Sequence, residues 1–328
     1  MSSAINIAPE ITQAVQDGCG IVGLETAVLT KGLPKTSCHL PQPPHDLDGV
    51  AIPWHNDEPV HLQTLGLIKK VVTESGCVPA ITAVIDGVVH VGLSDDQLRV
   101  LAENDHAGKV AVTDLAPAIA QKRTAGTTVS GTLAALAMAS KELDCCIDVM
   151  ATGGIGGVHR GWAQQLDVSA DLTALSKFRG CVVCAGPKSI LDVEATRELL
   201  ETLCVPIIGY QTHRLPRFLA AGTDAAFVSQ RLDQVKEIAN VYRLHCEVVP
   251  GSGSMLVVND PPEATRLAAS DLEALCQEAE AATDSGAGPA RTPSLLAELH
   301  GNTQGRSLTA NISVLIANAQ LAGRIASA

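Results

Sequence analysis

The chain has 328 residues, 46% hydrophobic but only 2% aromatic, so any core has to be built from aliphatic side chains. Its formal net charge of −12 argues against a nucleic-acid backbone as partner, while leaving room for a locally basic pocket that takes a small phosphorylated molecule. The N-terminal MSSAINIAPEITQAVQDG has neither the basic nor the apolar region of a signal peptide, no apolar run approaches the roughly 18–20 residues that span a bilayer, and most of the ten cysteines sit inside apolar runs; a reduced, cytoplasmic protein without membrane contact is expected.

In chain order, CGIVGLETAVL (19–29) reads as a strand, and PKTSCHLPQPPHDLDGVAIPWHNDEPVHL (34–62) shows no periodicity and reads as an insertion. The helical pattern LQTLGLIKKVVTES leads into PAITAVIDGVVHVGL (79–93), where Asp86-Gly87 marks a hairpin turn. DDQLRVLAEN and TVSGTLAALAMASKEL are helical, then IDVMATGG (147–154) and CVVCAG (181–186) read as strands. ILDVEATRELLETL, PIIGYQT (206–212), DAAFVSQRL (224–232), LDQVKEIANVYRLH and MLVVND (255–260) keep the alternation going. After residue 260 the strands stop; a polar loop at 280–293 separates closing helices, the last of them SLTANISVLIANAQLAGRIAS (307–327). Strands alternating with helices predict an α/β fold, here a single α/β/α domain over 1–328 around a mixed, mainly parallel sheet.

Polar residues interrupt this pattern where strands should end. Glu25 breaks an apolar run; it is either a paired strand-end carboxylate or, if buried, a general acid. GTTVSGT (126–132) offers Thr127 or Thr128 as the cap of a helix whose first N–H groups suit a phosphate. ATGGIGGVHRGWAQQLDVSADL (151–172) places four glycines ahead of Asp167, Ser169 and Asp171, yet it matches neither a dinucleotide fingerprint nor a P-loop. Asp167 and Asp171 share a face if the segment is helical; they would then hold an oxygen-ligated cation such as Mg²⁺ or Mn²⁺, or else simply cap a helix. Cys181-x-x-Cys184 lies within a strand and suits neither zinc nor redox chemistry. Lys188 follows the same strand, either as a solvated surface group or as an amine presented at the carboxyl edge of the sheet, where open α/β folds bind ligands.

GLETAVLTKGLP, ATGGIGGVHRG, DVSAD, CAGPKSILD and SLTANI together closely resemble the pseudouridine-5′-phosphate glycosidases and indigoidine synthase A-like proteins, over about residues 15–326. That resemblance implies a homotrimeric enzyme with Mn²⁺ that reversibly cleaves the C–C glycosidic bond of pseudouridine 5′-phosphate to uracil and ribose 5-phosphate. It also implies site roles: Lys188 as Schiff-base nucleophile, Glu25 as proton donor, Asp167 as metal ligand, and Asp171 as a group that moves the proton on the base. Substrate contacts would come from Lys109, Thr128, Val129, Ser169, Ala170, Asp171 and Asn311. A C-glycosynthase joining ribose 5-phosphate to another carbon nucleophile is the alternative the resemblance leaves open. A non-catalytic binding protein on this fold fits poorly with Glu25, Asp167 and Lys188 all being present.

The chain departs from the family pattern in three places. Lys31-Gly32-Leu33-Pro34 stands where the family has His-Gly-Met-Pro, the Tyr-Pro-x-Asn stretch that usually follows is replaced by 34–62, and TPSLL (292–296) replaces TPFLL. All three are expected on the base-binding side of the site.

Overall fold

The computed structural model describes residues 4–282, 301 and 303–328. Parallel pairing builds the middle of one large sheet from β2 (Ile21–Leu24), β7 (Val149–Ala151), β9 (Gly180–Cys184), β13 (Ser254–Asn259), β11 (Ile207–Tyr210) and β12 (Gln230–Leu232), neighbours in that order. On the other side of β2 lie β3 (Val78–Ile85), β4 (Val88–Val91) and β1 (Ile5–Ile7). β3 and β4 form the antiparallel hairpin predicted at Asp86-Gly87, where both residues adopt positive φ (49° and 78°) as a two-residue turn demands. Two short strands, β5 (Gly108–Val110) and β6 (Ala125–Thr127), join through β3, and β8 (Val158–His159) pairs with β10 (Leu191–Asp192) apart from the main sheet. The mixed, mainly parallel α/β architecture is the one expected.

Side-chain alternation along the central strands builds the layers on either side. Leu24, Ile81, Val149, Val183 and Val257 face one way, against α2 (Val60–Glu74), α9 (Val235–Val248) and the C-terminal helix α11 (Arg306–Ala326). Ala80, Met150, Val182, Leu256 and Val258 face the other, against α1 (Pro9–Gln16), α5 (Val129–Glu142), α7 (Ala170–Lys177) and α8 (Val193–Thr202). Three apart in β9, Cys181 and Cys184 fall on opposite faces, each fully buried, and burial pushes the Cys184 thiol up to about 12. This geometry rules out a shared zinc or a disulfide between them. No helix among the described residues is long and apolar enough to cross a membrane.

Several boundaries differ from the sequence reading. The strand expected over 19–29 stops at Leu24, and Val28–Gly32 coils into a five-residue π-type turn. The strand expected over 224–232 shrinks to Gln230–Leu232, an edge position where β11 alone supplies ladder bonds. The insertion ends at Pro59, because Val60 already begins α2. Its irregular backbone is bonded to α11: the His45 N–H donates to Ser313 Oγ at 3.0 Å, the Leu47 N–H donates to Gln320 Oε1 at 3.0 Å, and Asp48 pairs with Arg324. Of the loop expected at 280–293, residues 280–282 close α10 (Ala269–Ala282); the remainder, and TPSLL, lie outside the described residues.

Candidate active site

β2, β7 and β9 are adjacent and parallel, so their carboxyl ends open at one edge of the sheet, the place where open α/β folds bind ligands. Glu25 follows β2, Thr152 to Gly154 follow β7, and Ala185 to Lys188 follow β9. The last two segments stay zipped beyond their strands. The Ala185 N–H donates to the Gly153 carbonyl (3.0 Å), Ile155 to Gly186 (3.1 Å) and Lys188 to Ile155 (3.0 Å). The Lys188 backbone is therefore held in register with the glycine-rich loop, and its side chain reaches the cavity from a fixed base.

That cavity, of about 90 Å³, is lined by Glu25, Lys31, Lys109, Thr128, Lys188, Phe218 and Asn311, with Gly153 and Gly154 alongside. Lys109, Thr128 and Lys188 also border a second, more polar lobe of about 310 Å³, together with Asp114, His159, Asp167, Ser169, Ala170 and Asp171. Three lysines thus face one hollow on a chain whose net charge is −12, a locally positive site suited to an anionic substrate.

Burial pushes the Glu25 carboxyl above the usual carboxylate range; Lys188, a hydrogen bond from Thr152 Oγ1 and Lys109 pull the other way, while Asp171 adds to the rise. A carboxyl in that condition keeps its proton to higher pH than an ordinary carboxylate, as a general acid requires. Lys109 is shifted downward, first by burial and then by Lys188; Asp171, Asp114 and Glu25 oppose the shift.

Asp171 is 6% exposed and joins two parts of the site. Its Oδ1 accepts the N–H of Ser130 in the first turn of α5 (3.0 Å) and its Oδ2 accepts the Gly156 N–H (2.9 Å). A Cβ at Gly156 would collide with Ser169 Oγ and stand 2.9 Å from Asp171 Oδ2, so only glycine lets the loop come this close. Asp167 and Asp171 do not share a helical face: α7 begins at Ala170, Ser169 is its N-cap, and Asp167 precedes it outside any helix. Thr128, not Thr127, caps α5; the Thr127 hydroxyl is buried and donates to the Thr82 carbonyl at 2.8 Å. Val129 buries its side chain in the core, leaving only its backbone to meet a ligand.

Among the described residues no group of three or more His, Cys, Asp or Glu side chains converges on one point. Asp167 is half-buried at the polar lobe, and the carboxylates and hydroxyls sharing that lobe are hard oxygen donors. The set fits a divalent ion that keeps most of its water, as Mg²⁺ or Mn²⁺ does, and does not fit zinc.

Residues 51–328 match the family model described as indigoidine synthase A like protein. The chain belongs to the indigoidine synthase A-like family. A curated relative from Rhizobium johnstonii, pseudouridine-5′-phosphate glycosidase 2, is 38% identical over 322 residues, covering 98% of this chain and 94% of its own length. Two solved structures share the fold with a TM-score of 0.81 each. One is an indigoidine synthase A-like protein of Thermotoga maritima (30% identity, 100% of this chain and 97% of the other). The second is the prealnumycin C-glycosynthase in complex with ribulose 5-phosphate (29% identity, 98% and 96%).

On this family fold, the site residues foreseen from sequence gather at the two lobes, Val129 excepted. Phe218 escaped the sequence reading. It lines the cavity at a positive φ of 61°, where a Cβ on Gly154 would lie 2.7 Å from its ring. Its rarity, as one of three phenylalanines, was the available signal. Lys31 was seen only as a departure from the family motif, and it faces the same cavity as Glu25. None of the residues lining either lobe comes from 34–62; the segment follows Lys31-Gly32 of the cavity wall after Leu33 and is bonded to α11.

Proposed function

We propose that this protein is a pseudouridine-5′-phosphate glycosidase, reversibly cleaving the C–C glycosidic bond to give uracil and ribose 5-phosphate through an imine on Lys188. The observation that carries the reading is the pairing of Glu25 and Lys188 in one cavity, at the ends of strands separated only by β7, with Lys109 beside them. Family membership at 38% identity to a named glycosidase points the same way.

A C-glycoside has no leaving heteroatom to protonate, so the usual two-carboxylate hydrolysis is a poor route. In the proposed reaction the Lys188 amine adds at C1′, losing a proton to Asp171 across the polar lobe, as the C1′–O4′ bond breaks and Glu25 gives its proton to the departing ring oxygen. A proton delivered to uracil C5, assigned here to Asp171, then lets the C1′–C5 bond break while the nitrogen lone pair forms the C1′=N imine. Each Asp171 oxygen has a second lone pair beyond its backbone N–H bond, so the clamp and the proton transfer are compatible. Water adds to the imine, and ribose 5-phosphate leaves with the amine restored.

Lys109 and the capped start of α5 at Thr128 suit the phosphate. Asp167 would hold Mn²⁺ through one carboxylate, and the ion would supply positive charge beside an anionic substrate. Asp167→Ala should greatly weaken activation by Mn²⁺ and remove the rise in melting temperature that Mn²⁺ produces, while the protein stays folded. Unchanged Mn²⁺ activation in chelator-treated variant would take Asp167 out of this role. The family resemblance also supports a homotrimer, and ten cysteines with no disulfide among the described residues suit the cytoplasm.

The deciding assay is purified protein with Mn²⁺ and pseudouridine 5′-phosphate, following release of uracil, and then the reverse reaction from uracil and ribose 5-phosphate. Uracil release supports the reading; a complete lack of turnover in both directions overturns it. The prealnumycin C-glycosynthase shares the fold equally well, and Lys31 alters the cavity wall where the base is expected. Turnover of ribose 5-phosphate with a different carbon nucleophile, and none with uracil, would favour a C-glycosynthase.

A further inference from the structure

Strand β7 ends at Ala151, and the Thr152 carbonyl that follows leaves the ladder. It is taken up by Asn318 of α11, whose Nδ2 donates to the Thr152 carbonyl at 2.7 Å and to the Gly153 carbonyl at 3.1 Å. Asn318 is fully buried and lies two turns beyond Asn311, so one face of α11 presents one amide to the cavity and the other to the backbone beneath it. Its Oδ1 has no hydrogen-bond partner. Turning the amide over would set that oxygen against two carbonyl oxygens, so the side chain is fixed with both hydrogens on the loop. A buried acceptor left unpaired costs stability, and here that cost accompanies two donors placed on residues 152 and 153. Thr152 is in turn the residue whose hydroxyl donates to Glu25 Oε1.

We propose that Asn318 is a positioning residue of the catalytic carboxyl: by fixing the Thr152–Gly153 backbone it holds the Thr152 hydroxyl on Glu25 and shapes the cavity floor. The inference rests on Glu25 being the proton donor, as read above. Glu25 is faced by Lys188 after β9, Lys109 on β5 and Asp171 on α7, with Lys31 on the same cavity. None of these bonds Asn318 directly, and the shortest connection from Asn318 to Glu25 runs through Thr152. The Thr152 bond favours the ionised form of Glu25; losing it raises the proton affinity of the carboxyl and moves the alkaline limb of the rate profile to higher pH.

The test compares Asn318→Leu, Asn318→Ser, Thr152→Val and Thr152→Ser in the Mn²⁺-loaded enzyme. Both Asn318 variants should lower kcat by roughly tenfold or more with little change in KM, and should shift the alkaline limb in the same direction as Thr152→Val. Thr152→Ser, which keeps the hydroxyl, should restore the wild-type limb. Combined with Thr152→Val, Asn318→Ser should shift the limb no further. Infrared titration of the Glu25 carboxyl, isolated by difference from Glu25→Gln, should report the same shift without turnover. Asn318→Ser that melts earlier but keeps the wild-type limb and carboxyl titration would reduce Asn318 to a packing role. Should Asn318→Leu not fold, Asn318→Ser carries the same comparison. Normal turnover by Glu25→Gln would instead sink the functional reading itself.

Discussion

Lys188→Ala should abolish turnover, by about 10⁴-fold or more, because it removes the amine that forms the imine. Borohydride added to enzyme and ribose 5-phosphate should leave a stable secondary amine, with the added mass in the peptide CVVCAGPKSILDVEATR. Lys188→Arg should fare little better, since a guanidinium remains protonated and has no free amine to offer. Lys109 is the internal control, being a second lysine on both lobes of the same site. If it binds phosphate it acts throughout the reaction, so Lys109→Ala should raise KM by roughly ten- to a hundredfold while kcat holds, the loss expected for a charge-assisted contact. An adduct on Lys109 would exchange the two roles. Substantial turnover by Lys188→Ala would refute the imine route.

The position of Lys188 at the sheet edge was legible in the strand pattern, while its role came only from the resemblance of CAGPKSILD to the family. CVVCAG reads as a buried strand, and the turn at Gly186-Pro187 delivers the next side chain to the sheet edge. The same logic found the glycine-rich loop after β7 and the break in the apolar run at Glu25, although it carried the strand itself on to residue 29. The short strands β5 and β8, which lie outside any longer apolar run, carry too little pattern to be read, although β5 holds Lys109. Helix α1 was missed despite Pro9 in its first turn. Phe218 and Asn318 belong to the site through contacts formed only in three dimensions, 64 residues beyond Gly154 in one case and 166 beyond Thr152 in the other. The segment 34–62 shows how far sequence position and place in space can separate. It replaces a family motif in sequence, but in space it is bonded to α11 at Ser313 and Gln320 and lines neither lobe. The spacing of Asp167 and Asp171 suggested a shared helical face that Ser169, by capping α7, prevents.

Glu25→Gln should cost about 10² to 10⁴ in kcat, the range for a lost general acid, and the loss should come without unfolding. The carboxyl binds its proton more tightly in the fold than in the unfolded chain, because burial disfavours the charge more than Lys188, Thr152 and Lys109 favour it. The stability tied to that proton is therefore fully present below the ordinary carboxylate range, and it is lost as pH rises through the raised value. Glutamine carries no such charge. Melting temperatures of variant and wild type should lie close together in acid and separate as pH rises, with the variant the more stable. Activity should behave in the contrary sense: the wild-type rate falls along the same limb as Glu25 ionises, and the variant, having no proton to lose there, shows no such limb in its residual rate. Thr152 keeps its hydroxyl in either protein, so the difference reports the carboxyl and not its neighbour. A variant that melts lower than wild type at alkaline pH would mean that Glu25 is held there as a stabilising anion, and a different proton donor would then have to be sought among Lys31, Lys109 and Asp171 around the same cavity.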